Sequence, residues 1–205
     1  MTVFAVHFSA LFICQNPIYA GIVALALLLP QYKVSTIVHN QAHVAMFRGN
    51  IPNLILNIFL YLESGMMVSQ FHLQHNCGYH CFYKDPEKDP STLVKADGAT
   101  MGRLEYVIHD IFVYTFDTIK IGKSYPHLLL QYYQKSVLNI ILVATLLLFN
   151  PINGLILLLT SILIIRRIFI AFAYDYHVNI HSESDDYAAS NSNTNPILNL
   201  FIFNG

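Results

Sequence analysis

The sequence predicts an all-α fold of polytopic membrane helices with a cytoplasmic helical cap that carries histidine-rich motifs. Only 11% of the 205 residues are charged and 55% are hydrophobic, whereas a soluble domain carries about 25% charged residues. Residues 1–82 contain three charged residues and residues 136–165 contain none, while ten of the 23 charges fall within residues 84–110. This distribution excludes a water-soluble domain, a disordered chain, a coiled coil and a disulfide scaffold.

The net charge and the cysteines argue against two further kinds of site. The formal net charge of −1 gives no basic surface for nucleic acid. Three cysteines in apolar surroundings are too few for a disulfide framework. Cys77 and Cys81 lie among histidines and could add thiolate ligands, but Cys81 begins the aromatic run Cys81-Phe-Tyr, which favours packing. We expect a single domain over residues 1–205.

Residues 1–48 are predicted to form a first helical hairpin. Val3–Cys14 is only about 12 residues, or roughly 18 Å, which is too short to cross a hydrocarbon core of about 30 Å. A turn is expected at Gln15-Asn16-Pro17. Ile18–Met46 is long enough to span the membrane and to project beyond it, with a kink expected at Pro30.

Residues 49–127 are predicted to hold a re-entrant segment and a polar excursion. The apolar run Ile51–Leu62 is too short to cross, so we interpret it as re-entrant or interfacial. The segments before and after it then lie on one face of the membrane. The aromatic residues of the polar stretch fit either an interfacial amphipathic helix or packing beneath the histidines, and packing is favoured; they are Tyr106, Phe112, Tyr114 and Phe116.

Residues 128–174 are predicted to form a second transmembrane hairpin, followed by a tail over residues 175–205. Leu128–Phe149 and Leu155–Tyr174 are the two spans. Asn150–Gly154 is the turn, because Asn-Pro and Asn-Gly favour turns. Basic residues favour the cytoplasmic side. Four of them place the polar excursion and the tail in the cytoplasm: Lys33, Arg48, Arg166 and Arg167.

Histidines form three groups at the expected ends of the spans, and the predicted topology brings these groups to one side of the membrane. A spacing of three or four residues places two imidazoles of a group on one helix face. In the second group, Gly78 is expected to bend the chain so that the last histidine also points inward. The groups are His39 and His43; His72, His75 and His80; and His177 and His181.

The histidine groups are candidate metal ligands. Imidazoles without paired thiolates suit iron, zinc or copper. A transporter or another non-catalytic metal binder is expected to place histidines in the middle of spans, whereas these groups lie at or beyond the span ends. The isolated histidines are interpreted as core or interfacial residues: His7, His109 and His127.

These groups resemble the boxes of the membrane fatty acid desaturase and hydroxylase superfamily, whose members hold two irons with histidines. His39-Asn-Gln-Ala-His43 matches a first box of the form H-x-x-x-H. His75-Asn-Cys-Gly-Tyr79-His80 is similar to the variant H-N-x-G-H-H of alkane monooxygenase-like members, and residues 84–92 resemble the segment that follows it. His181 lies where the family has a single histidine after the last span, and residues 190–205 resemble the approach to the final box.

The resemblance implies a non-haem diiron enzyme that uses O2 to insert a double bond into a fatty acyl lipid or acyl thioester. A small electron-transfer protein is implied as the source of electrons. Hydroxylation of an alkane or a lipid is the alternative, because both reactions begin by removing hydrogen from a C–H bond. The implied ligands are His39, His43, His72, His75, His80 and His181, with His177 as a weaker candidate. Acids that could orient the imidazoles, or that form a solvated tail instead, are Asp175, Glu183, Asp185 and Asp186.

The sequence departs from the family pattern at two places. Tyr79 stands where the variant has the first histidine of a pair, so that ligand is missing or is supplied elsewhere, with His72 as the candidate. The family's final H-x-x-H-H box follows a segment like Phe203-Asn204-Gly205, where this chain stops. We therefore expect a fragment of a longer protein, and a catalytically inactive, truncated member of the family is a further alternative.

Overall fold

The computed structural model describes residues 2–83, 85, 87–95 and 97–178. This part of the chain forms seven helices, and the predicted all-α fold is confirmed. The helices are α1 Thr2–Ile13, α2 Pro17–His43, α3 Asn50–Ser64, α4 Val68–Phe82, α5 Arg103–Gly122, α6 Pro126–Phe149 and α7 Pro151–His177.

Three of the helices, α2, α6 and α7, are long and apolar enough to cross a membrane. Helices α3 and α4 meet this criterion only as a pair, and they are bent by 89° at their junction, as in a broken span or a re-entrant loop. Helix α1 has 12 residues and is shorter than a helix that crosses a bilayer. The structure therefore confirms the polytopic membrane architecture that hydropathy predicts.

The turn of the second hairpin is shorter than predicted. Helix α7 begins at Pro151 rather than at Leu155. The side-chain oxygen of Asn150 accepts a hydrogen bond from the backbone N–H of Asn153 at 3.3 Å. Pro151 occupies the first helical position, where no N–H donor is needed. An asparagine cap followed by proline starts a helix at once, so the expected five-residue turn is wrong.

The turns of the two hairpins lie at the same end of the bundle. The side-chain amide of Asn150 donates to the carbonyl of Leu11 at 2.9 Å, and that of Asn153 donates to the carbonyl of Cys14 at 2.6 Å. These bonds attach the C-terminal end of α1 to the α6–α7 turn. Because α2 runs as one helix of 27 residues, its C-terminal histidines lie at the opposite end.

The polar helix α5 packs along α7 and has two different faces. Tyr106 is buried, and its ring centroid lies 5.9 Å from that of Tyr174 in α7. Phe112 and Phe116 are 67% and 73% exposed. The two interpretations of this aromatic segment therefore apply to different residues. Packing accounts for Tyr106, whereas the two phenylalanines form an apolar outer face.

Candidate metal centre and adjoining cavity

The end of α2 carries two histidines on one helix face. His39 and His43 are four residues apart, and their ring centroids are separated by 4.8 Å. The helix ends at His43, and the backbone N–H of Val44 still bonds the carbonyl of Asn40 at 2.9 Å. His39 is partly buried and His43 is exposed. Helix α2 thus presents both imidazoles at the end of the bundle.

A π-helical stretch in α4 brings two further histidines together. His75 and His80 are five residues apart, a spacing that separates side chains on an α-helix. Residues His72–Tyr79 are π-helical, and the backbone N–H of His80 bonds the carbonyl of His75, which is the register of this helix type. The wider turn aligns the two side chains, and their ring centroids are 4.4 Å apart.

Gly78 has a different role from the predicted one. The helical conformation continues through Gly78, so the expected bend is wrong. A Cβ atom at this position would lie 2.7 Å from Cγ of Pro90 and 2.8 Å from Cδ1 of Ile121. Glycine is required because these side chains approach the helix closely. The π-helical register, rather than a bend, orients His80 towards the other imidazoles.

The four histidines direct their Nε2 atoms at one another. The Nε2–Nε2 distance is 2.9 Å between His39 and His75, 3.1 Å between His43 and His39, and 3.1 Å between His80 and His75. Ring nitrogens of His39, His43 and His75 all lie within 4.8 Å of one another. The site therefore brings together histidines of α2 and α4 that are at least 32 residues apart in the sequence.

Hydrogen bonds alone cannot satisfy these contacts. A neutral imidazole nitrogen carries either one N–H or one lone pair in the ring plane. The Nε2 atoms of His39 and His75 each have two such neighbours. Because each nitrogen can make only one hydrogen bond, at least one of the three contacts has none. A cation bound by the lone pairs satisfies all of them. Two nitrogens about 2.1 Å from one ion and at a right angle lie about 3.0 Å apart, so this donor set fits iron, zinc or copper.

Two other predicted ligands lie beside this group. The Nδ1–H of His72 donates to the carbonyl of Ala42 at 2.8 Å, and the amide of Asn76 donates to the same carbonyl at 2.9 Å. These bonds hold α4 against the end of α2. The ring of His177 lies 5.2 Å from that of Tyr79. His181 lies outside the described residues.

The acids and thiols of the site are placed as follows. The carboxylate of Asp175 forms an ion pair with Arg103 of α5. Cys77 is buried and Cys81 is exposed, and neither belongs to the group of converging ligand atoms among the residues that the structure describes. The other expected acids lie outside the described part of the chain: Glu183, Asp185 and Asp186.

A cavity of about 440 Å³ adjoins the histidines. Tyr79, at the position where the resembled motif has a histidine, stacks on the ring of His75 with centroids 5.1 Å apart and planes at 13°. Four helices, α2, α4, α5 and α7, and the segment after α4 contribute to the wall. Its residues are Thr36, His39, Phe71, Gln74, His75, Tyr79, His80, Pro90, Ser91, Tyr106, Asp110, Tyr114, Phe169, Ile170, Ala173, Tyr176 and His177.

One wall of the cavity is polar and contains a charged residue. Arg166 and Arg167 of α7 donate to Oδ2 of Asp110 at 3.1 and 2.8 Å. The guanidinium of Arg166 also lies 4.0 Å from the ring centroid of Tyr114. Burial raises the pKa of Tyr106 and of Tyr114, so both phenols stay protonated at neutral pH.

A buried polar network in the interior was not predicted from the sequence. The Nδ1–H of His7 donates to Oε1 of Glu63 at 2.9 Å. The amide of Gln31 donates to Oε2 of Glu63 at 2.8 Å and to the hydroxyl of Ser161 at 2.7 Å. His7 is indeed a core residue, as expected, but the partners were missed. The signal available was Glu63 itself, an isolated acid in a long apolar region.

Comparison with known proteins identifies one family. The sequence profile of the family described as fatty acid desaturase matches residues 16–204, a range that contains α2 to α7 and all four converging histidines. No curated protein and no solved structure matches the chain.

Proposed function

The chain belongs to the fatty acid desaturase family, and we propose that it is a membrane non-haem diiron oxidoreductase that inserts a double bond into a fatty acyl chain. The observation that carries this proposal is the convergence of four imidazole nitrogens, two from α2 and two from α4, at one end of a membrane bundle. We propose that this end faces the cytoplasm, because the basic residues after the first hairpin favour that side.

The residues of the chain would hold and orient the metal. Bound iron supplies the activation of O2 that removal of hydrogen from an unactivated C–H bond requires and that no side chain provides. We propose His39, His43, His75 and His80 as ligands, with His181 and either His72 or His177 for the second ion. The bonds of His72 and Asn76 to the Ala42 carbonyl keep the two helices in register, as supporting contacts do in metal sites. Asp175, Glu183 and Asp185 are proposed to orient imidazoles.

The reaction has a defined balance of atoms and electrons. The acyl chain loses two hydrogen atoms, and O2 takes these together with two electrons and two protons to give two molecules of water. We propose that a small electron-transfer protein supplies the electrons at the cytoplasmic face. The cavity beside His39 and His75 would hold the reacting part of a fatty acyl lipid or acyl thioester away from bulk water.

Metal content and product analysis test this proposal. The full chain is expected to be purified from membranes with iron, and to convert an acyl substrate to a product with one more double bond when a reductant and a redox carrier are supplied. His43→Ala and His75→Ala are expected to lower the iron content by at least tenfold while leaving membrane insertion intact. His109→Ala is the matched control and is expected to keep its iron.

Three outcomes contradict parts of the proposal. Full iron content in both histidine variants removes them as ligands. A hydroxylated product without a double bond assigns the chain to the alkane or lipid hydroxylases of the superfamily. Bound iron with no product under any donor identifies an inactive member or a non-catalytic metal binder.

A further inference from the structure

The cavity beside the histidines exposes hydroxyl groups for which the described part of the chain supplies no hydrogen-bond partner. Tyr79, Tyr106 and Tyr114 line it, and none of their hydroxyls makes a hydrogen bond with another residue that the structure describes. Buried tyrosine hydroxyls usually find a partner. Because burial keeps the phenols of Tyr106 and Tyr114 protonated, the cavity offers both donors and acceptors to whatever occupies it.

Asp110 also offers an acceptor to this cavity. The residue is 8% exposed and contributes to the wall. Both hydrogen bonds that described residues donate to the carboxylate, from Arg166 and Arg167, go to Oδ2. The second oxygen, Oδ1, is left for a ligand that carries a hydrogen-bond donor.

The charged cluster presents an acceptor to the cavity rather than a guanidinium donor. Neither Arg166 nor Arg167 lines the cavity, and both guanidinium groups are engaged with Asp110. Among the described residues of the wall, the group with a formal charge is therefore the Asp110 carboxylate, whose Oδ1 can accept a hydrogen bond from a hydroxyl or an amide N–H.

We propose that the cavity binds a lipid that carries a hydroxyl or an amide N–H close to the carbon that reacts, with Oδ1 of Asp110 as its acceptor and the tyrosine hydroxyls as further partners. The statement that this lipid reacts rests on the proposed function, whereas the preference in binding does not. A plain methylene chain in this cavity would leave these polar groups unpaired, which weakens binding roughly 5- to 150-fold for each group.

A binding assay on the full chain in lipid nanodiscs tests the preference without requiring iron or turnover. The chain has no tryptophan, so Phe169→Trp, at a residue that lines the cavity, adds a single fluorescent reporter. The probes are the N-(2-hydroxyethyl)amide and the methyl ester of the same dibrominated stearic acid, which quench tryptophan on contact. The amide carries N–H and O–H donors and the ester carries none. We expect the amide to reach half-maximal quenching at a concentration in the membrane about tenfold lower than the ester requires.

Variants of the polar wall provide the comparison in the same reporter background. Tyr106→Phe, Tyr114→Phe and Asp110→Asn are each expected to reduce the preference for the amide at least threefold. Asp117→Asn on the same helix and the exposed Tyr133→Phe lie outside the cavity wall and are expected to leave it unchanged. The two tyrosine variants each remove one oxygen and keep the ring, so they test the proposal even if Asp110→Asn misfolds.

The results separate this inference from the proposed function. Equal quenching by amide and ester, no quenching by either, or a preference that survives in all cavity variants would overturn the proposed lipid class. Iron content measured on the same preparations reports on the metal centre. If the protein holds iron but shows no preference for the amide, the proposed function stands and the lipid class is wrong. If it shows the preference but holds no iron, the lipid class stands and the proposed function is wrong.

Discussion

At the scale of single residues, the metal centre depends on a position that has room for hydrogen only. Gly78 lies between His75 and His80, and a Cβ there would come within 3.0 Å of both Pro90 and Ile121. One of these side chains lies in the segment after α4 and the other in α5, so both must move if Gly78 is replaced. The orientation of the His80 side chain therefore depends on how Pro90 and Ile121 pack against α4.

Gly78→Ala is therefore expected to destabilise the protein and to loosen the metal centre together. Overpacking of a tight core costs about 1–3 kcal/mol, and displacement of the π-helical stretch rotates His80 away from His75. Unfolding in mixed micelles and the iron content of the purified protein are the measurements. Gly21→Ala is the control, since no atom lies within 4 Å of a Cβ at that position. Unchanged stability and iron in Gly78→Ala would show that Pro90 and Ile121 adjust freely.

At the scale of elements, the junction of α3 and α4 is fixed by a second glycine. Gly65 has φ of +68°, the left-handed conformation that ends helices. A Cβ on this residue would lie 2.0 Å from the backbone oxygen of Ile162, which belongs to a π-helical stretch of α7. The 89° bend between α3 and α4 is thus built directly against a transmembrane helix.

Two glycine replacements separate conformational strain from crowding. Gly65→Ala is expected to cost about 1–2 kcal/mol for the left-handed conformation and about 1–3 kcal/mol more for the contact with α7. Gly98 also has a positive φ, of +82°, but nothing lies within 4 Å of its Cβ position, so Gly98→Ala is expected to show the first cost only. Denaturation of both variants in the same micelles measures the difference. Equal losses would mean that α7 does not restrain this junction.

The elements also show what a sequence can and cannot predict. Hydropathy and the Asn-Pro dipeptide located both hairpins, since span length and turn chemistry are local properties. The spacing of His39 and His43 predicted a shared helix face for the same reason. The alignment of His75 with His80 is not predictable in this way, because a five-residue spacing is aligned by a π-helical register, and the spacing alone does not distinguish that register from a bend at Gly78. The bend at Gly65 likewise depends on α7, about a hundred residues later.

At the scale of the whole molecule, a buried network joins four helices. His7 of α1, Gln31 of α2, Glu63 of α3 and Ser161 of α7 are at most 3% exposed. Gln31 and Ser161 lie near the middle of two spans, where an uncompensated charge is expensive. This network, the amides at its C-terminal end and the packing of Leu11 in an apolar cluster together attach the short helix α1 to the bundle. The pairing of His7 with Glu63, 56 residues away, could not be read from local sequence.

The network is expected to behave as one cooperative unit, which a double-mutant cycle can measure. Glu63→Met leaves His7 and Gln31 without their acceptor, and His7→Leu leaves one oxygen of Glu63 unpaired, so each single variant is destabilised. The double variant removes both partners, and we expect it to lose less stability than the sum, by about 1–2 kcal/mol. The exposed pair Lys95–Glu105 is the control, because solvent screens it, and its cycle is expected to show no coupling. Additive losses at His7 and Glu63 would mean that the two residues contribute independently and that the network is not a cooperative unit.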